Sequence, residues 1–232
     1  MILVPGFSQP ASVWRGVLAA LHPSIDARAL DVPDGLVFGD TAAAIGADGG
    51  RACYVGYSMG GRISLRLALD RPDLVAGLVL VSASPGIADP SAREERAVAD
   101  SGLAADVERD GVAAFLERWL GQPLFAGLSR DEAALDERVA TTSVARLVHQ
   151  LTVLGQGSMP EAWSQLPGLS MPVLLLTGAR DPKYGEIASE MRRGNARLEH
   201  DVMAGGHALL LERPLALGRR LNAFVHERCT TE

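Results

Sequence analysis

Apolar positions along the chain fall into two alternating patterns. Short continuous runs at residues 2–4, 29–32, 53–55, 78–82 and 173–177, with a weaker one at 198–202, predict strands. Stretches with helical spacing at 13–21, 58–69 and 213–226 lie between or after them. Strands covered on both faces read as unbroken apolar runs, and their alternation with helices predicts an α/β chain with a mostly parallel sheet. One interval departs from this rhythm. Between Ser82 and Met171 no strand is predicted. Segments 92–105, 111–120 and 130–154 predict helices instead, with Gly and Pro turn signals at 121–123 and 155–160. The expected organisation is a core of residues 1–84 and 168–232 and a helical cap of 85–167. Such a cap would lie over the C-terminal edge of the sheet, where open α/β sheets bind ligands.

The stretch GYSMGGR, Gly56 to Arg62, stands where the third strand ends and a helix begins. G-x-S-x-G in that context predicts a sharp turn that lifts Ser58 above the sheet. The same letters also describe a glycine turn with an N-capping serine. As a nucleophile or base, Ser58 needs a histidine to take its proton. Of five histidines, His22, His149, His200 and His226 fall in helical, strand or terminal segments. His207 falls in the glycine-rich loop AGGHALL after the last strand. Asp181, in GARDPKY, follows the fifth strand. Ser58, Asp181 and His207 thus occur in one order, each after a strand end, which predicts a catalytic triad. The Met59 N–H, at the helix start, and the Phe7 N–H, after Pro5-Gly6, are the expected oxyanion donors.

Composition changes this picture little. A net charge of −6 argues against nucleic acid as a partner, but a local group of arginines can still serve an anionic substrate. Of the 22 Lys and Arg residues only Lys183 is lysine. The start MILVPGF lacks the basic region of a signal peptide, and no apolar run approaches the ~18 residues of a membrane helix. Cys53 and Cys229 make no disulfide framework. A soluble, cytoplasmic protein without a membrane partner is expected. No Cys/His group has zinc spacing and no glycine-rich phosphate loop occurs, so no metal or cofactor is expected.

These motifs resemble the α/β-hydrolase superfamily over nearly the whole chain. The resemblance implies a sheet reduced at its N-terminal side to about six strands, since two strands usual there have no room before Ile2. Pro5 stands where the superfamily usually has His before Gly-Phe. GYSMGGR, LVLVSASPG, SAREERAVAD, ERWLGQPLF, GARDPKYGEIA and AGGHALLLERP are similar to the 2-succinyl-6-hydroxy-2,4-cyclohexadiene-1-carboxylate synthase family of menaquinone biosynthesis. That likeness implies a lyase that eliminates pyruvate from an enolpyruvyl cyclohexene carboxylate, with the triad abstracting a ring proton. Arg62 shares a helix face with Ser58. Either it holds a substrate carboxylate or it serves a buried ion pair or the surface. The resemblance implies the carboxylate role for Arg96 and Arg138 too, although both lie in charged helices where i,i+4 pairs are common. Arg93 would replace Arg96 if the register shifts by a turn. Tyr57 and Trp119 would line the pocket, or pack. Lys183 would add charge at its mouth, or be solvated. The sequence departs from the family at Ala140-Thr141-Thr142, where a polar Asn-rich stretch is usual. Two other functions remain open: a serine hydrolase of esters, thioesters or carbon–carbon bonds, and a non-catalytic binding module. The complete Ser/Asp/His set argues against the module.

Overall fold

The computed structural model describes residues 1–229. The last three residues of the expected core, 230–232, lie outside the described residues. Six strands pair in parallel: β1 (Ile2–Val4), β2 (Arg28–Ala29), β3 (Ala52–Tyr57), β4 (Val75–Val81), β5 (Val173–Gly178) and β6 (Glu199–Met203). Their order is β2-β1-β3-β4-β5-β6. The chain leaves β1 to one side for β2 and returns to its other side for β3. Such a reversal opens a crevice at the C-terminal strand ends, and ligands bind there.

The helices are α1 (Arg15–Leu18), α2 (Phe38–Gly49), α3 (Met59–Asp70), α4 (Pro90–Leu120), α5 (Leu135–Thr141), α6 (Val144–Thr152), α7 (Pro182–Gly194), α8 (Leu209–Glu212) and α9 (Pro214–Phe224). Alternate strand residues face opposite layers, as the two-residue period requires. Ile2, Val4, Tyr54, Leu78, Leu80 and Leu175 pack with Ile45 of α2 and Ile63 and Leu67 of α3. Leu3, Val55, Val79, Val81, Leu174 and Leu176 pack with Trp14 and with Leu217, Leu221 and Phe224 of α9. Each fully buried side chain of this size contributes about 1.5–3 kcal/mol, so both faces anchor the strand ends firmly.

The predicted run at 29–32 pairs only over Arg28–Ala29, because β1 offers three residues to pair with. Leu30 still donates its N–H to the Leu3 carbonyl at 3.0 Å, and Leu30 and Val32 are both buried, so beyond Leu30 the apolar run reports burial rather than pairing. The predicted helix at 13–21 is a 3-10 turn, Ala11–Trp14, followed by the short α1. The predicted segments 92–105 and 111–120 join into α4, which bends at Gly111 (φ 79°). The predicted helix 130–154 is two helices. Thr142 and Ser143 between them are extended, and Ser143 Oγ accepts the Arg146 N–H at 3.2 Å as the cap of α6.

The connection from β4 to β5 carries α4, α5 and α6. They share a small core of Ala104, Val107, Phe115, Leu116, Leu135, Leu147 and Leu151. We propose residues 85–167 as a cap on this ground: the segment has its own apolar cluster and contributes no strand. Among the described residues no helix is long and apolar enough to cross a membrane.

Candidate active site

Ser58 leaves β3 with φ 50° and ψ −108°, a strained backbone for a residue with a β-carbon. The turn is held by the Ser58 N–H, which donates to the Val81 carbonyl at 2.9 Å. It also requires two glycines. A β-carbon at Gly56 would collide with the Gly60 carbonyl, and one at Gly60 with the Val4 and Pro5 carbonyls. These obstacles are backbone and cannot swing away. Gly60→Ala is therefore expected to destabilise the protein by about 3 kcal/mol or more. At roughly 2–4 °C per kcal/mol for a chain of this size, the melting temperature should fall by about 10 °C. A calorimetric melt within a degree or two of the unaltered protein would contradict the tight turn.

Asp181 follows β5 and caps α7, where its Oδ1 accepts the Tyr184 N–H at 3.4 Å. Its Oδ2 lies 2.7 Å from His207 Nδ1. His207 Nε2 lies 3.3 Å from Ser58 Oγ. A carboxylate only accepts, so Nδ1 carries the proton of the neutral ring and Nε2 offers its lone pair to the serine. Asp181 and His207 are both buried. The loop before His207 is stapled from behind: the Gly206 N–H donates to the Glu212 carboxylate at 2.9 Å, and Arg180 pairs with the same carboxylate. The rings of Tyr184 and Tyr57 lie 4.6 and 5.4 Å from the imidazole, centre to centre. The sequence-predicted triad residues are thus brought together in one connected arrangement.

On the far side of Ser58 runs the loop after β1. The Gly6 N–H donates to Gln9 Oε1, and the Ser8 N–H donates to Gln150 Oε1, each at 2.9 Å. The Phe7 N–H lies between these two. The Met59 N–H opens α3, and the first amides of a helix have no partner inside it.

A cavity of about 350 Å³ opens over these groups. Phe7, Tyr57, Ser58, Met59, Arg62 and His207 line its floor, and Arg96, Trp119 and Arg138 line it from the helical connection. Arg93 does not line it. Arg62 is buried, and its Nη1 donates to the Leu154 carbonyl at 2.8 Å and lies 3.3 Å from Met159 Sδ. Arg138 is buried too, donating to the Ala133 carbonyl at 2.8 Å and to Ser8 Oγ at 3.0 Å. Among the described residues neither has a carboxylate partner. Burial pushes both guanidiniums down to about 10, still cationic at neutral pH. Arg96 differs: it pairs with the buried Asp100 at 2.7 Å, four residues on, while also lining the cavity. Trp119 does both things suggested for it, facing the cavity and packing 4.9 Å from Phe7. Lys183 lines the cavity beside Tyr184. Burial raises the Tyr57 phenol well above its ordinary range, so the ring stays neutral.

Gln9, Gln150, Gln156 and Tyr184 also line the cavity and carried no sequence signal. Gln156 Nε2 donates to Tyr184 Oη at 3.2 Å, and Arg96 Nη1 donates to Gln156 Oε1 at 3.3 Å. Among the described residues no group of three or more His, Cys, Asp or Glu is placed to hold a metal ion.

A strand–serine–helix turn with Asp and His after later strands of a parallel sheet defines an enzyme of the α/β-hydrolase type. The chain belongs to the Alpha/beta hydrolase family, whose model matches residues 1–219. Within it, the chain is 34% identical over 177 residues to "Putative 2-succinyl-6-hydroxy-2,4-cyclohexadiene-1-carboxylate synthase" of Bacillus subtilis (strain 168). That match covers 74% of this chain and 64% of the relative. It is 31% identical over 188 residues to "Protein PHYLLO, chloroplastic" of Arabidopsis thaliana, covering 76% of this chain and 11% of that one. It is 31% identical over 228 residues to the 2-succinyl-6-hydroxy-2,4-cyclohexadiene-1-carboxylate synthase of Serratia proteamaculans (strain 568), covering 91% and 87%. Among solved structures, MenH from S. aureus superposes with a TM-score of 0.89 over 98% of this chain and 94% of that one, at 23% identity.

Proposed function

We propose that this enzyme is a lyase that eliminates pyruvate from 2-succinyl-5-enolpyruvyl-6-hydroxy-3-cyclohexene-1-carboxylate. The observation that carries the proposal is the pair of buried arginines, Arg62 and Arg138, that pair with no carboxylate among the described residues and line the cavity that also holds Ser58. An uncompensated buried cation is costly, so a site that keeps two of them suits a substrate that brings its own carboxylates. The synthase names of the relatives point to the same polyanionic substrate.

In the proposed reaction the ring C–H beside the succinyl carbonyl loses its proton to Ser58, which passes its own to His207 Nε2. Asp181 steadies the resulting imidazolium. The carbonyl oxygen becomes an enolate against the Phe7 and Met59 N–H groups, each donor contributing ~3 kcal/mol. The electron pair then moves through the ring and expels the enolpyruvyl oxygen, whose protonated and tautomerised product is pyruvate. Ser58 acts as a base, since the succinyl carbonyl is a ketone and the substrate offers no ester or thioester acyl group to transfer. Arg62, Arg96 and Arg138 hold carboxylates, with Tyr57 and Trp119 lining the substrate.

A strained serine beside a histidine equally suits a covalent nucleophile, the second function open to this geometry. One experiment separates them: pyruvate release from the enolpyruvyl substrate, hydrolysis of simple esters, and mass spectrometry of protein quenched during turnover. The lyase should release pyruvate, show a deuterium isotope effect at the abstracted ring position and carry no adduct. An adduct on Ser58 from the cyclohexene substrate, with no isotope effect, would assign the enzyme to the hydrolases.

A further inference from the structure

The helical connection reaches down into the loop that carries Phe7. From α6, Gln150 Oε1 accepts the Ser8 N–H at 2.9 Å. From α5, Arg138 Nη1 donates to Ser8 Oγ at 3.0 Å. From α4, Phe115 and Trp119 hold the Phe7 ring at 6.3 and 4.9 Å between centres. Gln150 and Ser8 are each 2% exposed, so these bonds are shielded from bulk solvent. Ser8 itself has a φ of 61° and would leave that conformation readily without them.

Each N–H reports the plane of one peptide. The Gly6 N–H, on Gln9, fixes the peptide before Gly6. The Ser8 N–H, on Gln150, fixes the peptide after Phe7. The Phe7 N–H belongs to the single peptide between them, whose own carbonyl, on Gly6, accepts the Gln9 N–H at 3.3 Å; that long bond leaves the two flanking anchors to complete its direction. Gln9 lies within the loop itself. Gln150 lies 142 residues away.

We infer that Gln150 is a positioning residue for the Phe7 N–H: its side-chain carbonyl holds the following peptide so that this donor faces the reacting oxygen above Ser58. The role depends on the donor assignment proposed above. It also gives a reason for an amide rather than an acid at this place. A carboxylate would accept the Ser8 N–H equally well, but it would sit in the same cavity as Arg138 and compete with a substrate carboxylate. Because Arg138 shares Ser8 with Gln150, carboxylate recognition and oxyanion geometry are built on one residue.

The test compares Gln150→Leu, which removes the acceptor, with Gln150→Glu, which keeps it and adds charge. Two readouts are used on the whole protein: steady-state pyruvate release from the enolpyruvyl substrate, and the labelling rate of Ser58 by an alkyl fluorophosphonate. In labelling, the Ser58 Oγ–P bond forms, the P–F bond breaks, fluoride leaves and the serine proton goes to His207, while the phosphoryl oxygen occupies the oxyanion position. Gln150→Leu should lose roughly 10- to 100-fold in kcat and in labelling, part of the 10²–10³ that a missing donor costs, with KM little changed. Gln150→Glu should retain kcat and labelling while its KM rises. Equal losses in both variants, a Gln150→Leu defect confined to KM, or unaltered labelling of Gln150→Leu would overturn the assignment. Should Gln150→Leu not fold, Gln150→Met, closer in shape, takes its place. An unaltered protein that is labelled but releases no pyruvate refutes the lyase proposal alone, and labelling of the variants then decides for Gln150. An unaltered protein that is neither labelled nor active refutes the donor assignment and Gln150 with it.

Discussion

Ser58→Ala and His207→Ala should each lose about 10³–10⁴-fold in kcat, and the double variant hardly more. The two side chains form one proton path: Ser58 Oγ is 3.3 Å from His207 Nε2, and no second base stands beside the serine among the residues lining the cavity. Either change removes the whole path. Asp181→Asn should be nearly as damaging although it preserves shape. An amide can present its NH₂ to Nδ1, which favours the tautomer with the proton on Nε2, where it blocks the serine. Single-turnover pyruvate release measures these losses without interference from product release. Losses that multiply in the double variant, or a Ser58→Ala protein of near-native rate, would reject a triad acting as one unit.

These three residues are legible in the sequence because each is tied to a strand end. A buried strand is a short apolar run, and in a parallel sheet the residues just after each run land at one edge. Position after a run therefore translates directly into position in space. The same logic fails where an element is marked by neither run nor period. The apolar pattern does not predict α2, because Thr41, Ala42 and Gly46 dilute its buried face, although Gly46 is needed where Leu67 of α3 packs closely against it. The break between α5 and α6 is signalled by Thr142-Ser143, a serine in N-cap position. It is hidden by the apolar spacing that continues through it.

Gln9, Gln150 and Gln156 come from separate segments. Their significance lies in which backbone or side-chain group each meets, and spacing says nothing about that. For the arginines, sequence leaves two roles open at each position, and burial separates them. Arg96 has its acid four residues away in Asp100, whereas Arg62 and Arg138 have none among the described residues.

Arg62→Met should raise KM for the cyclohexene substrate by roughly 30- to 5000-fold, the 2–5 kcal/mol lost when one partner of a buried charge pair is removed. The same variant should melt higher than the unaltered protein in the absence of substrate. Arg62 is 7% exposed and pairs with no carboxylate among the described residues, so the folded state bears the cost of a dehydrated cation. Methionine fills most of the volume without charge. It leaves the Leu154 carbonyl without its donor, which costs about 1–3 kcal/mol, less than the several kcal/mol of an uncompensated buried ion. A net gain of about 1 kcal/mol corresponds to a rise of roughly 2–4 °C.

The direction of the pH dependence is set by the same burial. The folded pKa, about 10, lies below that of a free guanidinium. The cost of the charge is therefore fully present below pH 10 and disappears only once the pH passes the pKa of the free guanidinium. KM should be flat from neutral pH to about 9 and climb beyond 10 as the cation is lost, and this climb should be weaker in Arg62→Met. A bound carboxylate pulls the pKa back up, so substrate binding near pH 10 should take up a proton, measurable as a buffer-dependent heat of binding. Arg62→Lys should not restore KM, because the ammonium cannot engage a carboxylate in bidentate fashion while also reaching the Leu154 carbonyl. A Met variant that melts lower and binds the cyclohexene substrate unchanged would mean that Arg62 is held for the Leu154 contact alone, and the carboxylate sites would then have to be sought at Arg96 or Arg138.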